Sequence, residues 1–282
     1  MRKTPSQVLF SSLLISLALA GCWADIEPDP VVSNGEPVAQ EDYQPGTERV
    51  ADYEPAPPTL RRLTRAQYRG LVRSVFGDDI ILPEALEPDV ASAGYIAVGA
   101  GLSSISSRGV EQYENAAYDI VEQLFETRTR RQRYVECEPA GTIDDECASQ
   151  TIARLGLRLW RRPLSEDELT QLVGIAAVAA DTLDNFYEGL GFAIAALLQS
   201  PNMVYRIEIG EPSTDDDGVS HYNGYELASR LSFFLWNTAP DAELLEAAAN
   251  GDLDTREGLM QHAERMLASE NAREGVANFF NE

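Results

Sequence analysis

Hydrophobic positions recur at helical spacing over most of this chain. In "RRLTRAQYRGLVRSVFG", Leu71, Val72, Val75 and Phe76 form an apolar stripe. Thr64 and Gln67 stand at capping-box spacing before it, and Gly77 offers a stop after it. "SRGVEQYENAAYDIVEQLFET" sets Val110, Tyr113, Ala117, Ile120, Val121 and Leu124 on one helical face. Later helices are predicted over about 148–161, 166–181, 185–199, 223–236, 240–249, 255–268 and from about 270 onward. Pro163 closes one of them, and Ser165 with Glu168 opens the next as a second capping box. Pro240 suits a first helical turn and Gly251 the stop beyond it. Between the first two helices, Pro83, Pro88, Gly94, Gly99 and Gly101 read as a loop. "MVYRIEIG" is the stretch that reads as extended, either a short strand or a straight connector.

Two segments, "LVGIAAVAA" and "GFAIAALL", are apolar on nearly every side. Both fall short of the roughly 20 residues that span a bilayer, so they read as buried central helices. Leu172, Val173, Ile175, Phe192, Ile194, Leu197 and Leu198 are the expected centre of the core. Each such side chain contributes about 1.5–3 kcal/mol when fully buried. From Ala24 to Pro58 the pattern disappears. "DIEPDPVVSNGEP" and "DYEPAPP" are rich in proline and acid and show no period, which predicts a disordered, self-repelling tether. The expected fold class is mainly α: an irregular multi-helix bundle after a disordered N-terminal tether.

Composition narrows the chemistry. The chain has 282 residues and a net charge of −24, which repels the phosphate backbone of nucleic acid, so no nucleic-acid partner is expected. Lys3 is its single lysine, so Schiff-base and lysine-nucleophile chemistry has no residue to use beyond the N-terminus. Arg2 and Lys3 precede an apolar run from Val8 to Ala20, the arrangement of a secretory leader. At its end, in "SLALAGCW", Leu19-Ala20-Gly21-Cys22 resembles the lipobox of bacterial lipoproteins. That resemblance implies cleavage after residue 21 and diacylglycerol on the Cys22 thiol. It makes the membrane a partner through a lipid anchor. The implied location is the bacterial cell envelope, periplasmic or outer-membrane associated. Each buried methylene of such an anchor is worth about 0.8 kcal/mol.

Export places the other two cysteines in an oxidising compartment. Cys137 and Cys147, in "CEPAGTIDDEC", are then expected to form a disulfide. Neither C-x-x-C spacing nor a neighbouring histidine supports a metal or redox pair. Closing so short a loop is worth somewhat under about 3 kcal/mol in the chain-entropy account.

The remaining candidates are weaker. "TDDDGVSHYNGYE" has Asp215 and Asp217 at the third and fifth places of a calcium loop, if Gly218 takes the sixth. Ser213 and Gly224 then occupy the first and twelfth places, where carboxylates belong, so a solvated turn is expected. His221 and His262 lack partners at metal spacing and read as surface residues. Arg154, Arg158 and Arg161 share a helical face beside Arg162, where internal salt bridges are a simpler account than a phosphate site. Gly99-x-Gly101 has no strand before it and carries no dinucleotide signal. In "YNGYELASRLSFFLWNTAPDAELL", Leu227, Ala228, Leu231, Phe234 and Leu235 predict a heavily buried helix, widened by Phe233 and Trp236. Glu226 and Arg230 stand at i, i+4 spacing for an ion pair. No catalytic residue, metal ligand or cofactor ligand can be named from these patterns.

"LRRLTRAQYRGLVRSVFG" resembles the third of a numbered series of planctomycete-specific domains of unknown function. "LGLRLWRRPLSEDEL" resembles the fifth. "LLQSPNMVYRIEIGE", followed by "YELASRLSFFLWNTAPDAELL" and "RMLASENAREGVANFFNE", resembles the fourth. The expected organisation is a leader over 1–21, a tether over 22–58, and helical domains over 59–135, 136–210 and 211–282. Longer relatives in this family carry a cytochrome c-like segment with a C-x-x-C-H haem motif, which these 282 residues lack, and the resemblance implies a continuation beyond Glu282. No cofactor is therefore expected in this chain, and haem c belongs to the longer relatives. The implied function is a lipid-anchored scaffold or interaction module, with a protein partner or the further C-terminal domains beside it. The alternative is an envelope hydrolase or carbohydrate-acting enzyme using paired carboxylates.

Overall fold

The computed structural model describes residues 32–33, 36–37, 59–102, 104–212 and 220–281. The leader, Cys22, most of the tether and the Asp215–Asp217 turn lie outside the described residues. Two compact units divide the chain, one through Glu54 and one from Pro55 onward. Within the first, β1 (Val32–Ser33) pairs antiparallel with β2 (Glu36–Pro37).

The second unit is built from helices. After β3 (Thr59–Arg62) come α1 (Arg65–Phe76), α2 (Ile96–Leu102), α3 (Ser107–Phe125), α4 (Arg128–Tyr134), α5 (Asp145–Trp160), α6 (Glu166–Leu183) and α7 (Phe186–Gln199). A one-turn α8 (Pro201–Val204) leads into β4 (Tyr205–Glu208), and a small hairpin of β5 (Glu211–Pro212) and β6 (Ser220–His221) follows. The chain ends in α9 (Gly224–Leu235), α10 (Ala242–Asn250), a 3-10 turn at Asp252–Asp254, α11 (Arg256–Leu267) and α12 (Asn271–Asn281). The fold is mainly α, as the hydrophobic period predicts. Among the described residues, no helix is long and apolar enough to cross a membrane.

Both predicted capping boxes form. The Thr64 hydroxyl accepts from the Gln67 N–H at 3.2 Å while Gln67 Oε1 accepts from the Thr64 N–H at 3.1 Å. Ser165 and Glu168 repeat the exchange at 3.2 and 2.8 Å. Each box satisfies backbone donors that a helix start leaves open. Gly77 ends α1 at φ +95°, a conformation that side chains rarely tolerate.

The principal core gathers α1, α3, α5 and α7 around Leu71, Ile120, Leu155, Leu159, Leu190 and Ile194, all essentially inaccessible. A second core lies under Trp236, Leu244, Leu253 and Met266 in the last third of the chain. Helix α9 and its C-cap serve both, giving Phe233 to the first and Ala228 with the capping Trp236 to the second.

Several expectations change. Helix α6 is not buried on all sides: Ile175 is 42% and Val178 70% exposed, and on α7 Phe192 is 43% exposed. The contact between α6 and α7 runs through small residues instead. A Cβ on Gly189 would stand 2.4 Å from the Ala176 carbonyl oxygen and 2.5 Å from Ala180 Cβ, so the backbones nearly touch. Leu172, Ala176 and Ala180 face inward, which turns Ile175 and Val178 outward. On α3 the inward row is Gly109, Tyr113, Ala116 and Ile120, and Val110 falls outside it. Gly99 and Gly101 belong to α2 rather than a loop. Helix α10 starts from an Asp241 cap, so Pro240 precedes it instead of occupying its first turn.

The arginine cluster and the cleft beside α9

"MVYRIEIG" resolves into the end of α8 and strand β4, whose partner is β3. The antiparallel register sets Arg61 opposite Arg206 and Arg62 opposite Tyr205. Like charges directly opposite one another destabilise a strand pair unless a counter-charge intervenes. Glu208 supplies it from two residues beyond Arg206, on the same face of β4. Its carboxylate is buried and meets three guanidiniums: Arg61 Nε at 3.1 Å, Arg206 Nη2 at 2.9 Å and Arg230 Nη1 at 2.6 Å. Among the described residues, these are the ion pairs of all three arginines. Burial pulls Arg206 below the usual arginine range, Glu208 opposes that shift, and the positive charges of Arg61 and Arg230 add to it.

Helix α9 delivers Arg230 because its start is fixed. Asn223 caps it, and Glu226 completes a third capping box by accepting from the Asn223 N–H at 3.0 Å. The other Glu226 oxygen accepts from the Ile209 and Gly210 N–H groups at 2.9 and 3.0 Å, joining the helix to the end of β4. The expected Glu226–Arg230 pair therefore does not form. Backbone donors claim the glutamate, and Arg230 turns to Glu208 and to the Tyr222 ring, 4.7 Å from its centroid.

One turn further on, Phe233 is buried, with Arg161 and Arg206 guanidiniums 5.7 and 5.5 Å from its ring centroid. Phe234 goes the other way. It was expected in the core but is 73% exposed, because Ser229, Ser232 and Phe233 take the inward positions. Its ring forms part of a cleft of about 610 Å³, together with Leu227 and Leu231 of α9, Leu259 of α11 and Phe279 of α12. Arg61, Arg206 and Arg230 also line it, with Gln67 and Asn237. Helix α12 closes one side by lying very near α9: a Cβ on Gly275 would be 1.9 Å from the Leu235 carbonyl oxygen.

The predicted residues distribute as follows. Cys137 and Cys147 form the expected disulfide, with Cα atoms 5.7 Å apart. His221 is exposed, whereas His262 is buried in α11 against the surface expectation, and its Nδ1 has no hydrogen-bond partner. The arginine row of α5 is split between acids and carbonyls. Arg154 pairs with Glu136 at 3.4 Å and Arg162 with Glu168 at 2.8 Å. Arg158 donates to the Ser74 and Val75 carbonyls at the end of α1. Arg161 is fully buried and donates to the carbonyls of Leu159, Asn202, Met203 and Tyr205, where carbonyl dipoles stand in for an acid. Among the described residues, no group of three or more His, Cys, Asp or Glu could hold a metal ion.

The residues that do converge were not found in the sequence. Arg61 is far in the chain from Arg206 and Glu208, and the β3–β4 register together with the placement of α9 assembles the four residues. The extended reading of "MVYRIEIG" was the one available signal, and it named no partner strand.

Three domain families match the chain, each described as a protein of unknown function. PSD3 (DUF1587) matches residues 61–126, PSD5 (DUF1595) residues 147–208 and PSD4 (DUF1592) residues 222–282. Their order, three, five, four, is the order read from the motifs, but "LLQSPNMVYRIE", read as part of the fourth, falls in the fifth. No curated protein and no solved structure matches the chain. The three matched segments meet at the arginine cluster: Arg61 comes from the first, Arg206 and Glu208 from the second, and Arg230 from the third.

Proposed function

We propose that this chain is an exported, lipid-anchored protein of the cell envelope. Its helical part serves as a scaffold or interaction module that holds a ligand or partner at the cleft beside α9. The observation that carries the binding reading is the character of that cleft. Phe234 and Phe279 are 73% and 70% exposed on adjoining helices, immediately beside three guanidiniums. Exposed aromatic groups next to arginine are the composition of recognition surfaces. Among the described residues its lining offers no pair of carboxylates for acid–base work, which favours binding over the hydrolase alternative. Support for the anchor is the Leu19-Ala20-Gly21-Cys22 motif after an apolar run too short to span a bilayer.

The two halves of the reading are tested separately. In cells that make the chain natively, labelled palmitate should enter the wild type. Cys22→Ser should take up none and keep the leader; label in the variant would refute the anchor. A photo-crosslinking residue at position 234 should trap a discrete adduct in the envelope. The same group at position 178, an exposed apolar site on α6, should trap none. Equal adducts from both positions, or none from 234, would refute the module.

A further inference from the structure

We propose that the cleft beside α9 binds a small apolar oxyanion: a carboxylate or phosphate head carried on a hydrophobic body. The proposal rests on the binding-module reading and names its ligand chemistry.

The first argument is charge. Arg61, Arg206 and Arg230 converge on one carboxylate, so the cluster carries more cation than Glu208 can neutralise. This surplus stands in a chain whose net charge is −24. Cations gathered in excess, in so acidic a protein, meet the needs of an anion better than those of the fold. For folding alone, one acid per arginine would suffice, as Arg162 with Glu168 illustrates.

The second argument is hydrogen-bonding capacity. A guanidinium presents five N–H donors in a fork that suits carboxylate and phosphate oxygens. Glu208 engages one nitrogen of each arginine, and Arg206 Nε is buried without a hydrogen-bond partner. The donors are held in place before any ligand arrives, since the β3–β4 register and the α9 cap fix all three side chains at their roots. Such preorganisation lowers the cost of binding.

The third argument is shape. The lining that holds the guanidiniums also carries Leu227, Leu231, Phe234 and Phe279, uncharged side chains that offer an apolar surface in the same cleft. Its volume of about 610 Å³ falls within the usual range for small-molecule sites, about 300–1,000 Å³. A ligand with a charged end and an apolar body would cover both parts at once.

The test is calorimetric titration of the full chain, held by its anchor in discs of neutral lipid, with empty discs subtracted. The probes are 4-phenylbutyrate and 3-phenylpropyl phosphate, with 4-phenylbutan-1-ol, acetate and inorganic phosphate as controls. Saturable one-to-one binding of either apolar acid is expected, at least about tenfold tighter than the alcohol or the bare anions. Arg230→Gln should weaken the acids by about tenfold or more and leave the alcohol unchanged. Phe234→Ser should weaken acids and alcohol together. If Arg230→Gln melts early, the Phe234→Ser arm decides, because that ring is largely exposed and its loss leaves the core intact. Alcohol binding as tight as acid, non-saturable uptake, or acid affinity unmoved by both substitutions would overturn the proposal. Failure here with a discrete adduct still trapped from position 234 would leave the module standing and remove only this ligand class.

Discussion

Arg230 reaches Glu208 at 2.6 Å, from a helix in the last matched domain to a strand at the end of the middle one. Arg61 reaches the same oxygen from the first matched domain. One buried carboxylate thus ties together segments that sequence comparison separates. Removing it strands three guanidiniums, of which that of Arg206 is mostly buried. Glu208→Gln should therefore cost about 3–5 kcal/mol, the range for breaking a buried ion pair from one side. Arg230→Gln should cost about 1 kcal/mol or less, since that side chain is 43% exposed and Glu208 keeps two partners. Urea unfolding of the two variants separates these outcomes, and equal costs would show that the carboxylate is not the tie.

Local features of this fold were legible in the sequence. The Thr64–Gln67 and Ser165–Glu168 boxes depend on three-residue spacing and form as read. Glu226 shows where local reading misleads. It stands at capping distance from Asn223 and at pairing distance from Arg230, and the backbone wins. Unsatisfied N–H groups cost more than an exposed pair returns. Long-range features were not legible. Nothing in the period of "TLRR" or "YRIE" announces that they pair across the chain, so the arginine cluster could not be named. The inward face of α6 was misread for a related reason. Hydropathy favours Ile175 and Val178 as core, whereas Ala176, Ala180 and Gly189 decide the contact by letting the backbones meet.

The disulfide lends itself to a direct measurement. Cys147 sits in the principal core while Cys137 is partly exposed, and the loop between them is also held by Asp144. That carboxylate accepts from the Ala140 and Cys147 N–H groups at 2.8 and 3.0 Å, so the start of α5 has a cap independent of the bridge. Replacing Cys137 with Ser and Cys147 with Ala should lower stability by about 2–3 kcal/mol, with the helical circular dichroism retained. Complete loss of helix would mean that the bridge organises the fold rather than trimming the unfolded ensemble.

Acid should weaken the molecule through Glu168. Arg162 grips both its oxygens, at 2.9 and 2.8 Å, and holds the carboxyl down to about 2 from an ordinary 4.5, with the Ser165 N–H assisting. The folded pKa is depressed, so the stabilisation is complete above about 4.5 and disappears as pH falls toward 2. Solvent screening at this half-buried site limits it to about 1–2 kcal/mol. Asp241 shifts the same way: burial alone would raise it, but the Arg265 hydrogen bonds and the Leu244 N–H prevail. The stability difference between wild type and Glu168→Gln should be largest at neutral pH, should shrink below about 4.5 and should close as pH falls through about 2. A difference independent of pH would place the stabilisation elsewhere.

Two glycines in the α6–α7 hairpin should respond in opposite directions to the same substitution. Gly174 has open space where a Cβ would go, so Gly174→Ala should stabilise by about 0.5–1 kcal/mol through helix propensity alone. Gly189 would gain the same propensity but would drive its new methyl into the Ala176 carbonyl and Ala180. The α6 backbone cannot yield there without moving Leu172 out of the core. Overpacking of this kind costs about 1–3 kcal/mol or more, which exceeds the propensity gain, so Gly189→Ala should be net destabilising. Thermal unfolding of both variants decides the matter. If Gly189→Ala proved as stable as Gly174→Ala, the two helices would not be in backbone contact, and Ile175 and Val178 would need another reason for facing outward.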